Sequence, residues 1–203
     1  MNQGFTNKPF SQACENNKLA ISRTLEPYLK QGGSLLEIGS GTGQHGLYLS
    51  SIYPRLNWQT SDQPEYLAGI NAWVREANRD NFIAPIELDV NDAVWTDKYV
   101  DFVFSSNTVH IMSPDEVSSM FRFVPSALKT EGLFFLYGPF NYNGEFTSES
   151  NAQFNDWLRA QAPHRAIRDF EAVDQLAREN GLRLVEDHAM PANNRLLVWR
   201  KAS

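Results

Sequence analysis

A mostly parallel α/β sheet of seven strands, with helices on both faces and an antiparallel hairpin at its C-terminal end, is the fold class this sequence predicts. Three observations predict it. Short apolar runs rich in β-branched and aromatic residues alternate with helical-period segments, which is the pattern of βαβ units. The run 133–137 is apolar throughout, as a strand covered on both faces should be. The last two strand-like runs are joined only by Met190-Pro191-Ala192-Asn193-Asn194 and read as a terminal hairpin.

The elements follow in order. Residues 1–10 are polar and punctuated by Gly and Pro, and read as an irregular arm. Ser11 caps a helix whose Ile21, Leu25, Tyr28 and Leu29 recur at helical spacing. Pro27 is expected to kink or split it, and Gly32-Gly33 ends it. The first strand is 34–38, followed by a helix over 44–52 that stops before Pro54. The second strand is 56–61, and a helix over 64–79 buries Leu67, Ile70, Trp73, Val74 and Ala77. The third strand is 85–89 and the fourth 100–105. A helix over 114–128 shows Val117, Met120, Phe121 and Val124 on one face, and leads into the fifth strand. Residues 138–144 are a loop by composition. Helices at 152–160 and 170–179, the second closed by Gly181, precede the strands 182–187 and 195–200. Five βα steps and a closing hairpin form the ground plan of the Rossmann-like class I methyltransferase sheet. No repeat, linker or charge block marks a boundary, so one domain over 1–203 is expected, with 1–33 as an arm and helix capping a pocket.

Composition narrows the function. The chain has 203 residues, 42% of them hydrophobic, which excludes disordered and low-complexity classes. Its net charge of −6 argues against a general nucleic-acid binder. The one cysteine, Cys14, cannot form an internal disulfide. Residues 1–20 contain Asn2, Gln3, Lys8 and Glu15 and no apolar core, so no signal peptide is expected. No window approaches the ~20 apolar residues of a membrane helix. The expectation is a soluble, cytoplasmic protein. The oligomeric state is unreadable.

The most informative segment is Leu35-Leu36-Glu37-Ile38-Gly39-Ser40-Gly41-Thr42-Gly43. A strand runs into three alternating glycines and then a helix begins. Glycine serves where the backbone takes positive φ or lies close to a ligand, and a helix N-terminus offers free N–H groups. Glu37 in the strand followed by Gly39, Gly41 and Gly43 is the pattern of S-adenosylmethionine sites. A rival exists: Gly41-Thr42-Gly43-Gln44-His45-Gly46 spells a dinucleotide fingerprint, with Asp62 16 residues beyond Gly46. That fingerprint starts late after its strand here. Asp62 closes the second strand, where a carboxylate can accept both ribose hydroxyls. Asp89 closes the third, where it can accept from an adenine amino group beside N–H donors near Val90. Each is also a favoured helix cap. His45, in the first turn after the loop, either contacts the cofactor or is an ordinary surface residue of the helix.

These residues resemble a family. Cys14-Glu15-Asn16-Asn17-Lys18, Ser40 through His45, Trp58-x-x-Ser61-Asp62, Leu88-Asp89-Val90, Asn107-x-x-His110, Tyr137-Gly138-Pro139-Phe140, Asn143-Gly144, Ser150-Asn151-x-x-Phe154 and Met190 through Asn194 resemble the methyltransferase-like protein 26 family, from about residue 13 to the C-terminus. The resemblance implies a class I S-adenosylmethionine-dependent methyltransferase fold and no particular substrate. Asn16 stands where that family usually has Arg, and Thr60 where it usually has Pro.

Methyl transfer needs donor and acceptor aligned, and a base where the acceptor carries a proton. It needs no metal, and His45, His110, His164 and His188 lack metal-ligand spacing. Acceptor-side candidates lie after the fourth and fifth strands. Asn107, a cofactor contact as well, His110 as general base, and Tyr137 are the catalytic candidates. His110 reads equally as a buried histidine bonded to backbone at a helix start. Phe140, Asn17, Asn193 and Asn194 are the candidates to line a substrate pocket, against core packing for Phe140 and turn capping for the hairpin asparagines. Ser105-Ser106-Asn107-Thr108 is not Asn-Pro-Pro-Tyr, which disfavours amino-group methylation of bases or glutamine. A small or medium-sized acceptor is expected. The rivals are a nicotinamide-dependent oxidoreductase and a non-catalytic cofactor-binding module.

Overall fold

The computed structural model describes residues 8–92 and 99–202. Residues 1–7 of the expected arm and Ser203 lie outside the described residues. The main sheet has seven strands, mostly parallel and antiparallel at its C-terminal end, as expected. The chain falls into two compact units, Met1–Asp89 and Val90–Ser203.

In the first unit α1 spans Gln12–Leu29, and the Ser11 hydroxyl accepts from the Cys14 N–H at its start. Pro27 does not split α1: it lies in the last turn, where its missing N–H frees only the carbonyl of exposed Arg23. Gly32, at φ 83°, then turns the chain where a Cβ would stand 2.5 Å from the Arg55 carbonyl oxygen. Strand β1 is Gly33–Ile38, α2 Gln44–Ile52, β2 Leu56–Asp62, α3 Pro64–Ala77 and β3 Phe82–Glu87. β1 pairs parallel with β2 from Gly33 opposite Leu56 to Ile38 opposite Ser61. β3 lies parallel on the other side of β2.

Two expectations change here. Of the apolar residues expected to be buried on α3, only Ile70 is; Leu67, Trp73, Val74 and Ala77 are half-buried. β3 begins earlier than expected and ends at Glu87, so Asp89 stands two residues past the strand rather than closing it. The side-chain amide of Asn81 donates to the carbonyls of Ser50, Tyr53 and Leu56, and the Asn81 backbone carbonyl accepts from Trp58 N–H. Those bonds pin the start of β3 at the next residue.

In the second unit β4 is Val100–Ser106, α4 Pro114–Ala127, β5 Leu128–Gly138, β6 Phe140–Asn141, α5 Glu149–Gln161, β7 Arg168–Asp169, α6 Phe170–Glu179, β8 Leu182–Met190 and β9 Asn194–Lys201. A capping box of Ser113 and Glu116 starts α4, and its four expected apolar residues are all buried. β4 and β5 are parallel, and β9 runs antiparallel between β5 and β8. The core gathers Phe121, Phe134 and Trp199, with ring centroids 5.6–5.7 Å apart. The expected 138–144 loop is partly ordered: β6 pairs in parallel with β7 through Phe140 and Arg168. The hairpin tip is a 3₁₀ turn, Pro191–Asn193. Among the described residues no helix is long and apolar enough to cross a membrane.

Candidate functional site

The glycine loop leaves β1 at Ile38 and enters α2 at Gln44. Gly39, Gly41 and Gly43 all take left-handed φ, at 70°, 55° and 79°. They serve different ends. A Cβ on Gly43 would meet Ile70 at 3.2 Å, a packing constraint, whereas one on Gly41 would meet nothing within 4 Å among the described residues. Gly41 borders open space. Its N–H donates to Asp62 Oδ2 at 2.6 Å, and Gln63 N–H donates to Asp62 Oδ1 at 2.7 Å. Asp62 is 8% exposed, and burial pushes its carboxyl up while those two N–H groups hold it down. Each of its oxygens keeps acceptor capacity beyond the one backbone donor.

Glu37 lies beneath this loop. Its Oε2 accepts from the Ser40 hydroxyl at 3.0 Å and the Trp58 indole N–H at 2.8 Å. Full burial pushes its carboxyl up to about 7. Its observed partners make it a strut for the loop. His45 corrects the surface alternative: it is buried, with Nε2 2.8 Å from Asn17 Oδ1 and Nδ1 3.9 Å from Glu37 Oε1. Burial lowers its pKa to about 4, so the ring is neutral at neutral pH. Asn17 is therefore held by His45 through its side-chain oxygen. The half-buried Cys14 thiol, pushed up by burial, lies 3.8 Å from His45 Nδ1 and 3.9 Å from Thr42 Oγ1.

A second network escaped the sequence. Gln44 Oε1 accepts from the Ser11 N–H and the Thr42 hydroxyl, and its amide donates to Glu15. The start of α1 is thereby fastened to the glycine loop.

In the second unit β4 ends at Ser106 and Asn107 turns at φ 58°. Its N–H donates to the Tyr137 carbonyl at 2.9 Å. The Ser105 and Thr108 hydroxyls lie 2.6 Å apart. His110 is 5% exposed, and its backbone carbonyl accepts from Ala166 N–H. Its ring stands edge-on to Phe154, with centroids 5.3 Å apart. Its Nδ1 is buried and has no hydrogen-bond partner among the described residues. Burial first, then the charges of Arg168 and Arg165, lower its pKa to about 4. Tyr137 and Phe140 are both buried, Tyr137 at the end of β5 and Phe140 in β6. Asn107 and His110 converge on Gly138, where a Cβ would stand 3.8 Å from Asn107 Oδ1 and 3.9 Å from His110 Nδ1.

Asn194 precedes Arg195, the β9 residue that lies opposite Gly138. The Asn194 amide closes its own turn on the Pro191 and Ala192 carbonyls. Asn193, at φ 56°, accepts through its carbonyl from the Asn151 amide at 3.2 Å. Val90 is buried at the start of the second unit.

Residues 8–201 match the family described as Protein of unknown function (DUF938). The chain belongs to that family. Solved structures similar to this DUF938 chain include an O-methyltransferase family protein from Burkholderia thailandensis, at 15% identity and a TM-score of 0.77, covering 94% of this chain and 60% of that one. Human N-acetylserotonin methyltransferase, solved in complex with SAM, matches at 14% identity and a TM-score of 0.79, covering 94% of this chain and 53% of that one. The PH0226 protein from Pyrococcus horikoshii OT3 matches at 15% identity and a TM-score of 0.75, covering 94% of this chain and 92% of that one. The DUF938 chain thus spans 60% and 53% of the first two. At these identities the likeness is one of fold.

Proposed function

We propose that this DUF938 chain is an S-adenosylmethionine-dependent methyltransferase acting on a small or medium-sized molecule, and that it is akin to the methyltransferase-like protein 26 family. The observation that carries the reading is Asp62, held by Gly41 N–H at the mouth of the glycine loop with acceptor capacity left on both oxygens. That fits the two hydroxyls of a cofactor ribose. Gly41, with no atom near its Cβ position, leaves room for the ligand to approach the backbone. In this reading Asp89 and Val90 receive the adenine, and the β4 and β5 ends, with Asn107, His110 and Tyr137, receive the acceptor. Bound S-adenosylmethionine supplies an electrophilic methyl group. The chain's residues orient the partners and exclude water. The fold shared with SAM-dependent methyltransferases supports the same assignment.

One observation favours a second reading. A Cβ on Gly46 would stand 2.7 Å from Phe82 Cε2 and 2.9 Å from Trp58, so this glycine permits close helix–strand packing, as the last glycine of a dinucleotide fingerprint does. Thermal unfolding with S-adenosylhomocysteine, S-adenosylmethionine, NAD and NADP separates the two, since a ligand bound by the native state raises its stability. A rise with the first two alone is expected. A rise with NAD or NADP alone would replace the methyltransferase with an oxidoreductase. A labelled methyl-transfer screen against cell extract then distinguishes an enzyme from a binding module.

A further inference from the structure

The polar atoms around Gly138 are arranged for something the chain itself does not supply. His110 Nδ1 is buried and unpartnered, a costly state for a hydrogen-bonding nitrogen unless a ligand completes it. A Cβ on Gly138 would stand 3.9 Å from it and 3.8 Å from Asn107 Oδ1, in ordinary van der Waals contact with both, so the glycine leaves the place of that one atom unfilled. Gly138 itself lies outside the left-handed region, so backbone conformation does not demand glycine here. Leading away from the imidazole is a series of rings: Phe154 stands edge-on to His110, and Trp157 stacks on Phe154 at 5.7 Å while 56% exposed.

We propose that the space beside Gly138 is a subsite for the hydroxyl group of a small aromatic alcohol or phenol, hydrogen-bonded to His110 Nδ1 beside Asn107, with the ring of the molecule carried against Phe154. A hydroxyl both donates and accepts, so it satisfies either tautomer of a neutral imidazole. An ammonium group is disfavoured, because Arg165 and Arg168 lie close enough to oppose positive charge on His110. The inference rests on the methyltransferase reading only in making this hydroxyl the methyl acceptor.

The test uses protein labelled with ¹⁵N-histidine, titrated with phenol and with anisole, in the presence and absence of S-adenosylhomocysteine. Phenol is expected to move the His110 Nδ1 resonance saturably, and anisole, lacking the donor, to bind about tenfold more weakly. Gly138→Ala fills the space with a Cβ in ordinary van der Waals contact, so it should fold normally and lose the phenol response. An unmoved His110 resonance, equal binding of anisole, or unchanged phenol affinity in Gly138→Ala overturns the subsite. If phenol binds as expected while S-adenosylhomocysteine leaves the melting temperature unchanged, the subsite stands and the methyltransferase reading falls.

Discussion

The Trp58 indole N–H donates to Glu37 Oε2 across 2.8 Å, joining neighbouring strands beneath the glycine loop. A charged carboxylate there is fully desolvated, and its pKa of about 7 against 4.5 for an unperturbed glutamate records the cost. Between those values the fold holds a proton that the unfolded chain has lost. Its contribution to stability is complete below about 4.5 and disappears as pH rises through 7, a change on the order of 3 kcal/mol. Glu37→Gln cannot lose that proton. Urea unfolding at pH 5 and pH 8 should show the variant gaining on the wild type at the higher pH by about that amount. An equal difference at both values would mean that Glu37 does not titrate in this range.

Asp62 has two duties, and one substitution should expose both. Asp62→Ala removes the acceptors for Gly41 and Gln63 N–H, so the loop loses its anchor as well as the ribose contact proposed above. Losing hydrogen bonds to a charged group costs about 1.5–3 kcal/mol, or ten- to a hundredfold in affinity. Calorimetric titration with S-adenosylhomocysteine should show that loss, with a lowered melting temperature. Asp62→Asn, which keeps one acceptor, should lie between. Unchanged affinity in the alanine variant would remove Asp62 from the site.

Gly46→Ala sets helix propensity against packing. Alanine in α2 gains about 1 kcal/mol over glycine. Its Cβ, however, would sit 2.7–2.9 Å from the rings of Phe82 and Trp58, both buried and unable to move aside. Overpacking of that kind costs about 1–3 kcal/mol. Net destabilisation is expected from urea unfolding. A more stable variant would show that α2 can lift from β2 and β3.

The residues differ in how far the sequence disclosed them. The bounds of α2 were legible because Gly43 and Pro54 bracket it. The position of Asp62 was legible, at the end of β2, whereas its use was read both as a ribose acceptor and as a helix cap. Asp89 was misplaced because the start of β3 is set by Asn81 binding three carbonyls from the preceding segment, a tertiary effect with no local signal. The burial of His45 was hidden because α2 is short, and the partner that neutralises the cost, Asn17, lies 28 residues away. The left-handed turn at Asn107 was readable in principle, since asparagine tolerates that conformation better than most residues. The convergence of Asn107 and His110 on Gly138 was not readable. It depends on two side chains brought together by β4 and β5.

His110 supplies the last prediction, and burial changes its form. A general base acting near neutral pH would titrate near 7. Burial and the charges of Arg168 and Arg165 instead place His110 near 4, so it stays neutral and able to accept or donate a hydrogen bond across the whole neutral range. Its folded pKa lies below the unperturbed 6.5. Its contribution to stability is therefore complete above about 6.5 and is lost as pH falls through 4, again on the order of 3 kcal/mol. NMR titration of the His110 ring should give a midpoint near 4, and His110→Gln should flatten the acid limb of the stability curve over that interval. Turnover, once an acceptor is known, should show no limb near neutrality that His110→Gln removes. A midpoint between 6 and 7 would restore the general-base role, and would mean that solvent reaches the ring past Phe154.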